Sequence, residues 1–385
     1  MSSGPQPSGD VRVGVIGAGQ LARMMGEAAR GLGLRVTVLS ATMEEPAVAT
    51  CDDVLIGDPK DQSALDRLAQ SVDVVTFDHE LVDLDQIEDL EARGIIVRPS
   101  ASALRYAVDK AHQRRRLLAA GLPVPRFVVV SSSSDPQLAA FLDSLTLPPV
   151  VKTARGGYDG RGVLFPAGRD EALAAVDGRA AAGEVLVEER LELQSEVAQL
   201  VARAVDGSVA LYPLVTTVQH DAMCVEVRYP AETLQAHAQR AEEIGEQIAS
   251  LIGAVGILAI EFFVTSGGLV VNEVALRPHN SGHWTIEGAQ TSQFANHLLA
   301  VAGRPLGDAS PVAPCAVMVN IVGAERPSSP GAASEVPGVF VHDYGKAWRP
   351  GRKLGHVTVL GDDAQATHVT AWKGALAYGT RTREA

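Results

Sequence analysis

A lysine and a glycine-rich segment are the first residues of this sequence that could do chemistry. Lys152 ends the apolar stretch PVVK, and GGYDGRG follows at residues 156–162. A lysine at the end of a strand can direct a point charge towards a phosphate group, and glycines allow backbone amides to fold over a polyphosphate. On their own, the same residues fit a polar hairpin loop with a solvated lysine equally well.

Two acidic residues stand inside apolar stretches that read as strands. Glu261 lies in LAIEFFV, and Glu273, preceded by Asn272, lies in VVNEVA; the SGG between the two stretches predicts a hairpin. Such strands usually exclude carboxylates. Each carboxylate could point to the solvent face of its strand, or both could converge on one hard cation, as Mg²⁺ sites built from carboxylates and nucleotide phosphates do. Together with Lys152 and the glycines, the pattern favours the Mg²⁺ site.

A second glycine motif, GAGQLA, occupies residues 17–22. A glycine turn that opens a helix can hold a phosphate group on backbone amides. A nicotinamide site also needs an acidic residue at the end of the second strand, where this sequence has Ser40. A nicotinamide dehydrogenase is therefore disfavoured, while the phosphate of another ligand and a purely structural turn both stay open.

The elements around these motifs predict an α/β chain, α+β when taken as a whole. Strand-like stretches alternate with helical segments near the start of the chain, at 11–19, 35–40 and 72–77. This order indicates an open parallel sheet. Ser100 can cap a single long helix over residues 101–120. Within that helix, the run Arg114–Arg116 is predicted to form a solvated face rather than a site.

Composition restricts the class of partner. The net charge of −13 argues against nucleic acid or an anionic membrane as the main partner. The three cysteines are far apart and form no CxxC pair, which disfavours a zinc site or a disulfide framework. No apolar run is long enough to span a bilayer, and residues 1–10 read as a flexible tail without a signal pattern. These features predict a cytoplasmic protein.

Lysine, glycine loop and paired carboxylates in this order resemble the ATP-grasp ligases. Four segments are together similar to the N5-carboxyaminoimidazole ribonucleotide synthetases of purine biosynthesis: GAGQLARM (17–24), GGYDGRG (156–162), RPHNSGHWT (277–285) and RPGRKLGH (349–356). The resemblance extends from about Val11 to about Trp372. It implies an N-terminal α/β domain at 11–120, a small flap-bearing domain at 121–191, and a large antiparallel-sheet domain at 192–385 with a C-terminal subdomain at about 315–372.

The resemblance also implies a reaction. ATP and bicarbonate would form carboxyphosphate, and 5-aminoimidazole ribonucleotide would be carboxylated on its exocyclic amine, with Mg²⁺ bound to the ATP. A homodimer is implied, and neither nucleic acid nor a membrane is a partner. Alternatives are another ATP-grasp ligase, such as a formate-dependent purine transformylase, and a nucleotide-binding module without catalytic activity.

The site residues follow from the matching motifs. The resemblance places Lys110, Lys152, Gly157, Tyr158, Asp159, Gly160, Arg161, Gly162, Glu188, Glu189, Arg190, Leu191, Glu196, Asn272 and Glu273 on ATP, and Glu261 and Glu273 on Mg²⁺. It places Tyr158, Arg161, Arg277, His279, Asn280 and Ser281 around bicarbonate and the amine, and Gln20, Leu21, Lys346, Arg352 and Lys353 on the substrate ribose and phosphate. His279 is either a proton acceptor or a hydrogen-bonding loop residue. The roles of Asp78, Glu80, Gln219 and His220 stay open.

Overall fold

The computed structural model describes residues 11–156, 162–221, 223–231, 236–324 and 329–381. The loop residues Gly157, Tyr158, Asp159, Gly160 and Arg161, for which the sequence predicts contacts with ATP and bicarbonate, lie outside the described residues. The described chain contains three sheets, within residues 11–77, 127–188 and 195–361. Because the gaps between these sheets include residues 120 and 191, we propose that the domains divide near these two positions.

The N-terminal sheet is parallel, as the sequence predicts, and its strand order is β3-β2-β1-β4. Its strands are β1 (Val11–Ile16), β2 (Leu34–Ser40), β3 (Asp53–Ile56) and β4 (Val74–Phe77), with helices α1 (Gln20–Ala29), α2 (Gln62–Ser71) and α3 (Leu84–Ala92). The neighbouring strands β1 and β4 carry runs of buried residues, because helices cover both faces of a parallel sheet of this kind. The carboxyl ends of β1 and β4 therefore lie side by side, where parallel sheets form their binding sites.

The single helix predicted over residues 101–120 is wrong. The structure has α4 (Ala101–Val108) and α5 (Lys110–Ala119), separated by Asp109 in an extended conformation. Asp109 caps α5 by accepting a hydrogen bond from the backbone amide of His112 at 2.9 Å, which is the usual action of an aspartate at a helix N-terminus. The break makes Lys110 the first residue of a new helix, and Arg114 lies one turn further along the same face.

The small sheet has the order β5-β8-β6-β7 and is antiparallel throughout. Its strands are β5 (Phe127–Val130), β6 (Val150–Thr153), β7 (Val163–Leu164) and β8 (Val185–Glu188), and its helices are α6 (Pro136–Asp143) and α7 (Arg169–Ala180). Residues 156–162 connect β6 to β7, so the glycine segment links two paired strands. Gly156 and Gly162 both have positive φ, at 78° and 87°, which favours glycine at both ends of this connection.

The large sheet is antiparallel and has nine strands, in the order β14-β13-β9-β11-β12-β15-β17-β16 with β10 paired to β9. They are β9 (Ser195–Arg203), β10 (Val209–Leu211), β11 (Val215–His220), β12 (Met223–Tyr229), β13 (Gly256–Thr265), β14 (Gly268–Ala275), β15 (Cys315–Val322), β16 (Val339–Asp343) and β17 (Lys353–Gly361). The accompanying helices are α8 (Ala238–Ile252), α9 (Thr285–Gly288), α10 (Gln293–Val301), α11 (Pro330–Ser334) and α12 (Ala364–Tyr378). The main core lies between α8 and strands β9, β13 and β14.

His297 joins the N-terminal sheet to the large sheet. Its Nδ1 atom accepts a hydrogen bond from the backbone amide of Ile257 at 3.2 Å, so its Nε2–H donates to the Thr76 hydroxyl at 2.9 Å. A Cβ atom at Gly256 would lie 2.8 Å from His297 Nδ1, and Gly256 has a φ of +119°, so glycine is required there. Burial lowers the pKa of His297 from 6.5 to about 3, which keeps the imidazole neutral.

The neutral state of His297 makes folding sensitive to acid. In the unfolded chain the imidazole titrates near its ordinary pKa, so between that value and the folded pKa of about 3 the unfolded chain binds more protons. This contribution to stability is complete above pH ~6.5 and decreases by about 1.4 kcal/mol per pH unit below it. Urea unfolding at pH values between 6 and 5 measures how the free energy of unfolding depends on pH. For His297→Gln this dependence should be weaker by the uptake of about one proton. The same dependence in both proteins would contradict a neutral His297 in the folded chain.

Candidate active site

The two predicted carboxylates face each other across the β13–β14 hairpin. Glu261 pairs with Glu273 in the strand register, at a point where the pairing shifts by one residue. The neighbouring side chain of Asn272 donates a hydrogen bond from Nδ2 to Glu261 Oε2 at 3.4 Å. The hairpin therefore brings together the three residues that the sequence assigns to Mg²⁺ and ATP.

The electrostatic environment separates the two carboxylates. Burial, with the nearby charges of Glu273 and Glu196, raises the pKa of Glu261 to about 7. Burial also raises the pKa of Glu273, but the ammonium group of Lys110, 2.7 Å from Glu273 Oε1, outweighs that effect and brings the pKa to about 2. Glu273 therefore stays ionised, and its side chain is 45% exposed. Glu261 resists ionisation in this setting, so a cation bound beside it would favour its charged form.

The prediction of a solvated arginine face is wrong for Arg114. Its side chain is 2% exposed, and its Nε atom forms an ion pair with the buried carboxylate of Glu188. Its Nη2 atom also donates to the backbone carbonyl of Asn272 at 2.5 Å. Arg115 is half exposed and Arg116 is exposed, as predicted. Arg114 thus connects α5 to the end of β8 and to the β13–β14 hairpin.

Lys152 and Glu188 form a second buried ion pair at this position. Lys152 Nζ lies 2.6 Å from Glu188 Oε2, while Arg114 holds the other carboxylate oxygen. Burial raises the pKa of Glu188, but Arg114 and Lys152 outweigh it and bring the pKa to about 2. Burial lowers the pKa of Lys152. The lysine predicted for phosphate and the glutamate predicted for adenine therefore bind each other.

The residues that follow Glu188 leave the small sheet at the end of β8. Glu189 accepts hydrogen bonds from the backbone amide and from Nε of Arg126, both at 2.8 Å. The guanidinium carbon of Arg190 lies 5.7 Å from the centre of the Phe165 ring. Glu196, at the start of β9, lies close enough to Glu261 to raise its pKa. The edge predicted for adenine and ribose therefore adjoins the carboxylate hairpin.

The RPHNSG segment directly follows β14, so the same hairpin positions it. Arg277 Nε donates to Glu80 Oε2 at 3.0 Å. His279 Nε2 lies 3.6 Å from Glu261 Oε1, and the side-chain amide of Gln293 clamps the backbone of His279 on both sides, at 2.8 and 2.7 Å. The predicted bicarbonate residues of this segment are therefore fixed beside the predicted metal ligands.

The surroundings of His279 make it a weak proton acceptor. Burial, with the charges of Arg277 and Lys353, lowers its pKa to about 3. The backbone amide of Ser281 donates to His279 Nδ1 at 3.3 Å, which leaves the Nε2 atom protonated in the neutral ring. Of the two roles predicted for His279, this geometry favours the hydrogen-bonding one.

The N-terminal glycine motif meets the C-terminal basic segment. Gln20 Oε1 accepts a hydrogen bond from Lys346 Nζ, and Leu21 is buried in the hydrophobic cluster that α1 and the N-terminal sheet share with α10. Lys353 instead lies within electrostatic reach of His279 and Glu261, and Arg352 donates to the backbone carbonyl of Ala347 at 3.1 Å. The structure therefore brings Gln20 and Lys346 together and places Lys353 nearer the carboxylates.

Models of three known domain types match the chain in the order of these structural units. A ribonucleotide synthetase preATP-grasp domain matches residues 11–108, and an ATP-grasp domain matches residues 115–294. A phosphoribosylaminoimidazole carboxylase C-terminal domain matches residues 316–370.

The N5-carboxyaminoimidazole ribonucleotide synthase of Mycobacterium tuberculosis is 46% identical to the chain over 363 residues, which are 91% of this chain and 84% of the relative. That of Corynebacterium ammoniagenes is 42% identical, over 92% of this chain and 89% of the relative. The chain belongs to the N5-carboxyaminoimidazole ribonucleotide synthase family. The resemblance inferred from the four sequence segments is thereby confirmed.

Solved structures of this family have the same fold. The N5-carboxyaminoimidazole ribonucleotide synthetase of Thermus thermophilus superimposes with a TM-score of 0.87 at 34% identity, covering 97% of this chain and all of that one. The Aspergillus clavatus enzyme, solved with ADP and 5-aminoimidazole ribonucleotide, superimposes with a TM-score of 0.86 at 30% identity, covering 96% and 98%. The predicted ATP-grasp architecture is confirmed. In the described part of the chain, no helix has both the length and the apolar character needed to cross a bilayer.

The sequence assigned Arg114 to a solvated face and left the role of Glu80 open, and the structure gives both residues an ion-pair partner near the carboxylate hairpin. Arg114 stands in a run of three arginines, and only its partner Glu188 distinguishes it from its neighbours. Glu80 follows β4 and reaches Arg277, which is 197 residues away in sequence. The only local signal for Glu80 was its position at the carboxyl end of a parallel strand, where binding sites form.

Proposed function

We propose that the chain carboxylates 5-aminoimidazole ribonucleotide to N5-carboxyaminoimidazole ribonucleotide in purine biosynthesis, using ATP and bicarbonate. The observation that carries this proposal is the β13–β14 hairpin. It aligns Glu261 with Glu273 and leads directly into Arg277 and His279. The proposed site for the phosphates of ATP and the proposed site for a small anion would therefore lie next to each other, on the hairpin and on the segment that directly follows it. Membership of the family supports the same reaction.

The reaction needs an activated form of bicarbonate. A bicarbonate oxygen would attack the γ-phosphorus of ATP, ADP would leave, and carboxyphosphate would form. The C–O bond to phosphate would then break, and the exocyclic amine would bond to the released CO2 and lose a proton. Charge on the transferring phosphoryl group calls for positioned cations. Lys110, Lys152 and Arg277 supply them within the described residues, and Arg277 suits a planar anion because guanidinium binds such groups bidentately.

The paired carboxylates fit Mg²⁺. Within the described residues, no cluster of three or more histidine, cysteine or carboxylate side chains forms a complete metal site. Mg²⁺ bound to ATP needs only one or two carboxylates, because phosphates and waters complete its shell. Burial and the charges of Glu273 and Glu196 raise the pKa of Glu261, and a bound cation would offset both effects. Glu261 and Glu273 would hold the ion, whose chemistry is to neutralise charge on the phosphates.

ATP would lie between the small sheet and the carboxylate hairpin. On ATP binding, its phosphates would compete with Glu188 for Lys152, whose ammonium lies 2.6 Å from that carboxylate. The proposed cover over the phosphates is the segment 157–161 with Gly162, and its closure would keep water from carboxyphosphate. The substrate ribose and phosphate would lie near Gln20, Leu21 and Lys346, with Arg352 and Lys353.

Arg161 is proposed to contact bicarbonate rather than ATP. Arg161→Ala should therefore raise the KM for bicarbonate or lower kcat by about 10-fold or more, because a charge-assisted contact to the reacting anion is lost. The dissociation constant for ATP should change less than about threefold. Steady-state kinetics and calorimetric ATP titration measure the two quantities. Equal losses in both would mean that the segment serves only as a phosphate lid.

ADP formation measured with and without each co-substrate tests the proposed function. Release of ADP should require both 5-aminoimidazole ribonucleotide and bicarbonate for its full rate, and formate should not replace bicarbonate. A rate that ignores the nucleotide would refute the proposal. A rate restored by formate would favour the alternative of a purine transformylase.

We also propose that the protein acts in the cytoplasm as a homodimer. The family resemblance supports the dimer. Cys51, Cys224 and Cys315 are free thiols, which fits a reducing compartment. Sedimentation equilibrium should give twice the chain mass of 40.4 kDa; a single chain mass at micromolar concentration would refute the dimer.

A further inference from the structure

Three side chains at alternating positions tie the end of β4 to three other parts of the molecule. Thr76 hydrogen-bonds to His297 on α10. Asp78 accepts hydrogen bonds from the backbone amides of Gly19 and Ala22, at 2.8 and 2.7 Å, and so caps the glycine turn that precedes α1. Glu80 reaches the segment after β14. This five-residue stretch therefore contacts both the proposed substrate side and the proposed bicarbonate side of the cleft.

We propose that Glu80 is a positioning residue that fixes Arg277 for the carboxylation step. This inference rests on the proposed function, because Arg277 is assigned there to the reacting anion. Glu80 acts through Arg277 and does not itself contact the substrate. Its role was left open by the sequence.

Both carboxylate oxygens of Glu80 are used on the same short segment. Oε1 accepts the backbone amide of Leu276 at 2.6 Å, and Oε2 accepts Arg277 Nε at 3.0 Å. Glu80 thus fixes the backbone at Leu276 and, through the Nε atom, the guanidinium group of Arg277. Arg277 Nη1 also donates to the backbone carbonyl of Pro278 at 3.1 Å. Two nitrogens of one rigid plane are held, so the plane has a defined direction.

Burial makes this contact stronger than a surface ion pair. The Glu80 side chain is 15% exposed and the Arg277 side chain is 24% exposed. Charge-assisted hydrogen bonds with little solvent around them are stronger than neutral ones. The partners also come from different sheets, since Glu80 follows β4 and Arg277 follows β14. Glu80 therefore holds Arg277 in a fixed position relative to the N-terminal sheet.

A double-mutant cycle separates this role from a direct one. Glu80→Ala should lower the nucleotide-dependent kcat by about 30- to 100-fold, because displacing a reacting group's partner by about 1 Å costs up to ~100-fold. The KM for ATP should change less than about threefold. In an Arg277→Ala background, Glu80→Ala should cost no more than about a further twofold. Independent, multiplicative losses would overturn the proposal, because Glu80 would then act without Arg277.

A spectroscopic measurement keeps the inference separate from the proposed function. Hydrogen exchange at Arg277 Nε, followed by ¹⁵N NMR of the full chain, should be at least ~10-fold faster in Glu80→Gln than in the unmutated chain, since a protecting bond is lost. Unchanged exchange would overturn the positioning role, whatever the activity. Inactivity of the unmutated chain with the nucleotide and bicarbonate would refute only the proposed function. Glu88→Ala, on the surface of α3, is the matched control and should change neither readout.

Discussion

Replacing Glu273 with glutamine is expected to abolish ADP formation, with a loss of about 10²-fold or more in kcat. The change removes one of two charges proposed to hold Mg²⁺, and metal-ion stabilisation of a transferring phosphoryl group contributes several kcal/mol, or two or more factors of ten. It also removes the partner of Lys110, whose ammonium lies 2.7 Å from Glu273. The side chain keeps its size, so the hairpin should fold as before.

Steady-state kinetics and Mg²⁺-dependent ATP titration measure the effect of Glu273→Gln. Glu246→Gln, an exposed position on α8, is the matched control and should retain full activity. Turnover by Glu273→Gln within about threefold of the unmutated rate would remove the carboxylate pair from the mechanism. If the unmutated chain itself shows no turnover, the alternative of a nucleotide-binding module without catalytic activity applies.

Arg114→Leu should be the most destabilising substitution in the cleft. It leaves the buried carboxylate of Glu188 with Lys152 as its remaining partner among the contacts described, and it removes the donor to the Asn272 carbonyl. Breaking a buried ion pair by removing one partner costs about 3–5 kcal/mol. ATP binding should weaken as well, because Arg114 connects the Lys152 side of the cleft to the carboxylate hairpin.

Urea unfolding compares Arg114→Leu with the neighbouring substitution Arg115→Leu. Arg115 also pairs with a glutamate, Glu184, but its side chain is 50% exposed, so its loss should cost less than about 1 kcal/mol. Equal reductions in the free energy of unfolding would contradict the stabilising role assigned to the buried Arg114–Glu188 ion pair.

The features that could be predicted from the sequence are those determined by residues close to one another along the chain. The β13–β14 hairpin follows from two apolar stretches on either side of a glycine turn, and its register then places Glu261 opposite Glu273. The parallel N-terminal sheet follows from strands that alternate with helices. The identity of the site needed the combination of four segments, because each glycine motif alone fits more than one function.

The features that sequence could not supply depend on partners far along the chain. Arg114 and Arg115 are the same residue type at adjacent positions. Of the two, Arg114 is the one that pairs with the buried carboxylate of Glu188, 74 residues away. The helix break at Asp109 was missed because helix propensity continues through the segment, while the cap and the contact with Arg155 stabilise the interruption. Tertiary contacts of this kind routinely override local preference.

Isotope transfer tests the central claim, which is that bicarbonate attacks ATP before the amine is carboxylated. The enzyme would be supplied with ATP, 5-aminoimidazole ribonucleotide and ¹⁸O-labelled bicarbonate, and the released phosphate would be analysed by mass spectrometry. Because the C–O bond of carboxyphosphate breaks, the bridging oxygen stays with phosphorus, and each phosphate should carry one ¹⁸O atom. Phosphate without ¹⁸O, formed together with carboxylated product, would contradict the carboxyphosphate route.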